Sequence, residues 1–119
     1  MSVAEDDLAA IAAVARETSI RGAGISLKDA LERARYRELR PELSRQQLEA
    51  YFGTHLEIIE EWLRYSEDKR TEGGWYLTTY RDAWQVGRVS ALFPHVYDSA
   101  ARACSEYVLR ELDFWINLK

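Results

Sequence analysis

The side chains that most often carry catalysis or bind metals are few in this sequence. It contains two histidines, His55 and His95, and a single cysteine, Cys104. These three residues are scattered along the chain and do not follow zinc-ligand spacing. A nucleophile also needs a base within reach, and no nucleophile-elbow or phosphate-loop motif is present. We therefore expect no catalytic residue, no metal and no cofactor, and we predict that the protein is not an enzyme.

Carboxylates at helical spacing are a second possible source of chemistry. Glu57, Glu60 and Glu61 lie three or four residues apart, so a helix would place them on neighbouring turns. Paired carboxylates can hydrolyse glycosides, which leaves a small hydrolase as a third hypothesis, but such a run is more often a solvated helix face. Residues 41–72 carry eight acids against four bases, and they hold the whole net charge of −4. An acidic surface there favours a basic protein partner and disfavours nucleic acid and membranes.

A second charged stripe has the opposite sign. Arg33, Arg37 and Arg40 fall on one face of a predicted helix at helical spacing. A basic stripe can contact phosphates, so a nucleic-acid-associated regulatory protein is the alternative function. Acidic residues are interspersed with these arginines, which favours a solvated helix face and makes nucleic-acid binding the weaker hypothesis. A helix-turn-helix formed by the next two helices is excluded, because its second helix would present acids to the DNA phosphates.

Charged and aromatic residues collect around a predicted hairpin that follows the acidic helix. A charged run of both signs at 66–74 leads into a stretch whose apolar residues alternate with period two. Tyr76 and Tyr80 then lie on the face opposite the tryptophans, and tyrosine is a residue type that carries binding energy at interfaces. We expect eight residues to contact a partner: Glu57, Glu60, Glu61, Glu67, Asp68, Arg70, Tyr76 and Tyr80.

Four helices are predicted to come before the hairpin, within about residues 4–66. Apolar residues at helical spacing place these helices at about 4–17, 27–39, 45–52 and 55–66. Each start follows a capping pattern in which a hydroxyl residue precedes an acid or amide by three positions. The four predicted caps are Ser2, Ser26, Ser44 and Thr54.

The rest of the chain is predicted to form a two-stranded antiparallel hairpin at about 74–90 and a closing helix at about 99–118. A turn centred on Arg81 and Asp82 would pair residue 77 with 86 and residue 79 with 84. Gly87 is expected to form a bulge, after which Val89 turns inward, and Asp98 is expected to cap the closing helix. The predicted fold class is α+β, with the closing helix packed on the hairpin.

The whole chain, residues 1–119, is predicted to be one cytoplasmic domain without a signal peptide or a membrane span. A two-stranded hairpin leaves two unpaired edges, so a homodimer through the hairpin edge is a further possibility. In general character the chain resembles the small acidic immunity and inhibitor proteins of bacteria. That resemblance rests on no diagnostic motif and assigns no site residue. The leading hypothesis is a non-enzymatic binding protein that masks a basic protein partner.

Overall fold

The protein combines helices with one antiparallel sheet in a computed structural model that describes residues 3–18, 25–69, 74–89, 91 and 93–117. The described helices are α1 (Glu5–Ala12), α2 (Val14–Glu17), α3 (Leu27–Arg33), α4 (Tyr36–Leu39), α5 (Arg45–Gly53), α6 (Leu56–Lys69) and α7 (Ala100–Ile116), with a short 3-10 helix at Arg40–Glu42. The strands are β1 (Trp75–Tyr80), β2 (Ala83–Arg88) and β3 (His95–Tyr97), paired in that order. The α+β class predicted from the sequence is confirmed.

The first two predicted helices are each divided into two shorter ones. The second division lies at Arg35, whose φ of 56° and ψ of 39° place it in the left-handed region, at a cost of about 1 kcal/mol. The Arg35 guanidinium donates to Asp7 across 2.8 Å, and the next residue, Tyr36, is fully buried with its hydroxyl 2.8 Å from Asp113. These tertiary contacts accompany the break, which helical spacing alone did not predict.

Side-chain caps at the helix starts follow the prediction only in part. Ser26 and Ser44 each accept a hydrogen bond from the backbone amide three residues on, at 3.0 and 3.1 Å, which confirms both caps. The hydroxyl of Thr54 instead donates to a carbonyl of the preceding helix. The closing helix is capped by Ser99 and not by Asp98, so that prediction was one residue too early. The predicted cap at residue 2 lies outside the described residues.

The hairpin has the predicted register. Leu77 faces Val86 and Thr79 faces Trp84, with the two-residue turn between the strands. Arg81 in that turn has a φ of 58°. Leu77 and Val86 are fully buried, so the predicted inward face of the hairpin is confirmed.

A third strand was missed, and the prediction of a two-stranded hairpin is wrong in this detail. β3 pairs antiparallel with the outer edge of β2, where Val96 faces Gln85 and His95 faces Val86. A strand of three residues is too short to show an alternating pattern in sequence. Its pairing with β2 means that one of the two predicted free edges of the hairpin is occupied.

Gly87 does not form the predicted bulge. It pairs directly with Tyr76, and the register continues without interruption to both strand ends. A Cβ at Gly87 would lie 2.5 Å from the Tyr76 hydroxyl oxygen, so glycine leaves room for the tyrosine ring to cross the strand. Val89 is 38% exposed and does not turn inward as predicted.

The core lies between the inner face of the sheet and the helices α6 and α7, with the shorter helices packed around them. Its largest fully buried side chains include Trp62 of α6, Tyr107 of α7 and Phe52 of α5. α7 contacts the strands of the sheet, which confirms that the closing helix packs on the hairpin. Within the described part of the chain, every helix is too short or too polar to cross a lipid bilayer.

Candidate partner-binding surface

The solvent face of α6 carries the predicted acidic residues. One side of this helix is apolar and faces the core, where Ile58, Ile59 and Trp62 are buried. On the opposite side the helical repeat aligns acids at successive turns. The exposed acids are Glu57, Glu60, Glu67 and Asp68. We call these four residues the acidic face; Arg64 is an exposed base interspersed among them.

Glu61 is not equivalent to its neighbours, because it holds two helices together. Its Oε2 accepts hydrogen bonds from Nε and Nη2 of Arg16 in α2, at 3.0 and 2.8 Å. Oε1 is buried and accepts no hydrogen bond from the described residues. The hydrogen bond from Arg16 to Glu61 raises the pKa of the guanidinium. The structure therefore pairs Glu61 with a base of the same chain, whereas the four residues of the acidic face point to solvent.

The two tyrosines of the predicted site differ in accessibility. Tyr80 ends β1 and is 58% exposed, with the Arg81 guanidinium carbon 5.2 Å from its ring centroid. Tyr76 is half-buried because its ring lies against Gly87. Val96, opposite Gln85 in the added strand, is 60% exposed and extends the same outer face of the sheet. Arg70 lies outside the described residues.

The arginines of the alternative function do not lie along one continuous helix. Arg33 ends α3 and is exposed, whereas Arg40 follows α4 and binds Asp113 through Nε and Nη2, at 2.9 and 3.0 Å. Arg37 donates from Nη2 to the carbonyl of Ile116 at 2.8 Å. Two of the three guanidinium groups thus tie the second helical segment to the end of α7.

A buried carboxylate that the sequence analysis did not single out lies between α6, β1 and α7. Glu111 is fully buried, and its Oε1 accepts from the backbone amide of Trp75 at 2.9 Å. Its Oε2 accepts from the Tyr65 hydroxyl at 3.0 Å and from the Trp115 indole nitrogen at 2.7 Å. The sequence signal that could have identified Glu111 is its position on the apolar side of an amphipathic helix, where an acid is unusual. We call this arrangement the Glu111 cluster.

Side chains cover part of the outer edge of β1. In the observed register the amides of Trp75 and Leu77 point away from β2. The first donates to Glu111, and the second donates to the buried hydroxyl of Ser66 at 2.7 Å. These two amides are therefore not available for pairing with another strand.

Two of the residues considered for catalysis or metal binding are Cys104, in the core, and His55, against Tyr51. Cys104 is fully buried, and burial raises the pKa of its thiol well above the usual range, which disfavours the reactive thiolate. His55 stacks on Tyr51, and its Nδ1 lies 2.9 Å from the Tyr51 carbonyl oxygen. No three His, Cys, Asp or Glu side chains within the described ranges come together as a possible metal site.

No protein-family model, curated protein or solved structure matches this chain significantly.

Proposed function

We propose that this chain is a small non-enzymatic binding protein of the immunity or inhibitor type that masks a basic protein partner. The observation that carries this proposal is the acidic face, the four exposed acids along the solvent side of α6. Exposed charges of one sign speed the encounter with an oppositely charged partner and help to exclude wrong partners.

The surroundings of these acids support the proposal. Glu61 is held by Arg16, while Glu57 and Glu60 form no ion pair with any described residue. They remain available to bases on another molecule. Exposed acids that stay solvated at the rim of an interface avoid most of the cost of desolvation, so they suit steering and rim contacts.

The exposed outer face of the sheet supplies a candidate contact area. Tyr80 and Val96 are both more than half exposed on the outer face of the sheet. Aromatic side chains with few rotatable bonds give large contact areas at low entropic cost, and such residues are common at binding hot spots. In this proposal the acidic face attracts the partner and Tyr80 contributes to the contact that slows its dissociation.

The test is a kinetic binding measurement with the product of the neighbouring gene as the candidate partner. We expect the double charge reversal Glu57→Lys and Glu60→Lys to lower the association rate about tenfold at low salt and to flatten its salt dependence. Tyr80→Ala should mainly raise the dissociation rate.

The matched control is the reversal of two exposed acids outside α6, Glu32→Lys and Glu42→Lys, which changes net charge equally. This control should lower the association rate much less. Equal losses for both double variants would show that only net charge matters, and that result would contradict a role of the acidic face. Absence of binding by the unaltered chain to a basic neighbouring product would also count against the proposal.

A further inference from the structure

Two arginines lie close to one tryptophan near the end of α7. The guanidinium carbon of Arg88 lies 5.9 Å from the ring centroid of Trp75 and 5.2 Å from that of Phe114. The guanidinium carbon of Arg110 lies 5.1 Å from the same Trp75 centroid. Together these side chains line a shallow groove of about 450 Å³, and Asp113 and Asn117 also line it.

The carboxylates next to the groove already accept hydrogen bonds or share their ion pairs. Asp113 accepts from Arg40 through both of its oxygens. Glu106 lies 3.5 Å from Arg110, but it is also 3.4 Å from Arg45, so two bases share it. Asp113 is thus paired with Arg40, and Arg110 shares the charge of Glu106 with Arg45, so these two carboxylates do not fully neutralise both arginines of the groove.

Arg88 pairs with none of the described acids. It is exposed and forms no ion pair with the described residues. The buried Glu111 accepts from the Trp75 backbone amide, the Tyr65 hydroxyl and the Trp115 indole nitrogen. Two like charges beside one groove repel each other, and an anion bound in the groove would offset that Coulomb energy.

The walls of the groove also favour a flat ring. Trp75 and Phe114 are half-buried, so each presents part of an aromatic surface at the groove. Aromatic side chains stack with planar ligands, and guanidinium groups bind oxyanions through two parallel hydrogen bonds. The groove therefore combines the two features that would recognise an anionic group attached to a ring.

We propose that this groove binds a small ligand with an oxyanion, phosphate or carboxylate, attached to a planar ring. Arg88 and Arg110 hold the oxyanion, and Phe114 and Trp75 contact the ring. This inference does not depend on the proposed masking of a basic partner, because the groove and the acidic face share no residue.

The test is an NMR titration of the full chain with four probes: phenyl phosphate, benzoate, inorganic phosphate and benzyl alcohol. We expect saturable shifts of the Trp75 indole signal with phenyl phosphate or benzoate, with a dissociation constant on the order of 1 mM. Inorganic phosphate should bind at least about threefold more weakly, because it lacks the ring contact. A preference between phenyl phosphate and benzoate would identify the oxyanion, and either preference supports the site.

Substitutions separate this site from general attraction of anions. Arg88→Gln and Arg110→Gln should each weaken binding about tenfold. Arg88→Lys should weaken binding less than Arg88→Gln, because lysine keeps the positive charge, but some loss should remain because lysine lacks the planar guanidinium. The matched control is Arg102→Gln, since Arg102 is also exposed and lies 5.9 Å from the ring centroid of Tyr97. Arg102→Gln should leave ligand binding unchanged. NMR signals that do not shift away from the substituted residue would show that each variant is folded.

Any of four results would overturn the proposal in whole or in part. The first is the absence of saturable shifts with either aromatic anion. The second is equal binding of benzyl alcohol and phenyl phosphate, which would mean that the arginines do not hold an oxyanion. The third is an equal loss of binding in the Arg102 and Arg88 variants. Binding of inorganic phosphate as tight as that of phenyl phosphate would overturn the contribution of the ring.

Discussion

At the scale of single residues, the Glu111 cluster shows how a charged group becomes part of a core. A buried carboxylate loses its hydration, and it is tolerated only where donors replace water. Glu111 obtains them from a backbone amide, a phenol and an indole on three different segments. Its carboxylate therefore links β1, α6 and α7, and also covers an amide at the sheet edge.

Removal of this carboxylate should destabilise the fold. Glu111→Leu leaves three part-buried donors without this acceptor, and we expect the free energy of unfolding to fall by about 3 kcal/mol or more. Glu111→Gln keeps one acceptor oxygen and should cost less. Urea denaturation measures both effects, with Glu60→Leu, at an exposed position, as the control that should change little. A loss below about 1 kcal/mol for Glu111→Leu would show that the donors find other acceptors.

The contact between Gly87 and Tyr76 gives a second prediction for single residues. Gly87→Ala would place a Cβ 2.5 Å from the Tyr76 hydroxyl oxygen, so the ring must move, at a cost of about 1 kcal/mol. In a Tyr76→Ala background the same change should stabilise by about 0.5 kcal/mol, because alanine restricts the unfolded chain. A double-mutant cycle followed by thermal unfolding measures this change of sign. Equal effects in both backgrounds would mean that the ring does not restrict residue 87.

At the scale of elements, the position of each side-chain cap determines where a helix begins. A capping hydroxyl satisfies one of the amides that the first turn leaves without a partner. Ser44 does this for α5 and Ser99 for α7, whereas Thr54, between α5 and α6, donates to the Tyr51 carbonyl instead. A hydroxyl side chain next to the start of a helix can therefore cap that helix, or it can bond to the helix before it.

The cap of α7 can be tested by a pair of neighbouring substitutions. Ser99→Ala should lower the free energy of unfolding by about 1 kcal/mol, because the Arg102 amide loses its acceptor at 3.2 Å. Asp98→Ala should cost clearly less, since the Asp98 side chain does not cap the helix. Urea denaturation of both variants decides between them. A larger loss for Asp98→Ala would reassign the cap to the position predicted from sequence.

At the scale of the whole molecule, three buried groups link stability to alkaline pH. Burial raises the pKa values of Tyr36, Tyr107 and Cys104, and Asp113 raises that of Tyr36 further. An unfolded chain loses these protons near pH 10 for tyrosine and near pH 8.5 for cysteine. The folded chain keeps them to higher pH, so unfolding releases protons in that range.

Stability should therefore be unaffected by these groups below about pH 8 and should fall as pH rises above the unfolded pKa values. Each group contributes a slope of about 1.4 kcal/mol per pH unit, until its folded pKa is reached. Urea midpoints measured from pH 7 to 11 test this. Tyr36→Phe should reduce the slope above pH 10, although it also removes the hydrogen bond to Asp113. An unchanged slope in that variant would contradict the linkage.

Local patterns were sufficient for much of the fold. The apolar stripe of α6, the caps at Ser26 and Ser44 and the two-residue period of the hairpin predicted helices, starts and register. These features depend on residues within a few positions of one another, or on a two-residue turn, so the sequence displays them directly. The exposure of the acidic face could be predicted for the same reason, because the helical repeat separates it from the buried side.

The features that the sequence did not reveal all depend on contacts between distant segments. The division of the second predicted helix at Arg35 accompanies the hydrogen bond from Tyr36 to Asp113. The strand β3 is defined by its pairing with the edge of β2. The sequence does not distinguish Glu111 from other acids, because its donors Trp75 and Tyr65 lie far from it along the chain.

Sequence by itself thus determined the α+β class, the hairpin register and an acidic run that the helical repeat turns to solvent. Only the tertiary structure decided which acids are free to meet a partner. It paired Glu61 with Arg16 and left Glu57 and Glu60 exposed. The physical reason is that a helical repeat sets the direction of a side chain, whereas its charge partner depends on which other segment packs beside it.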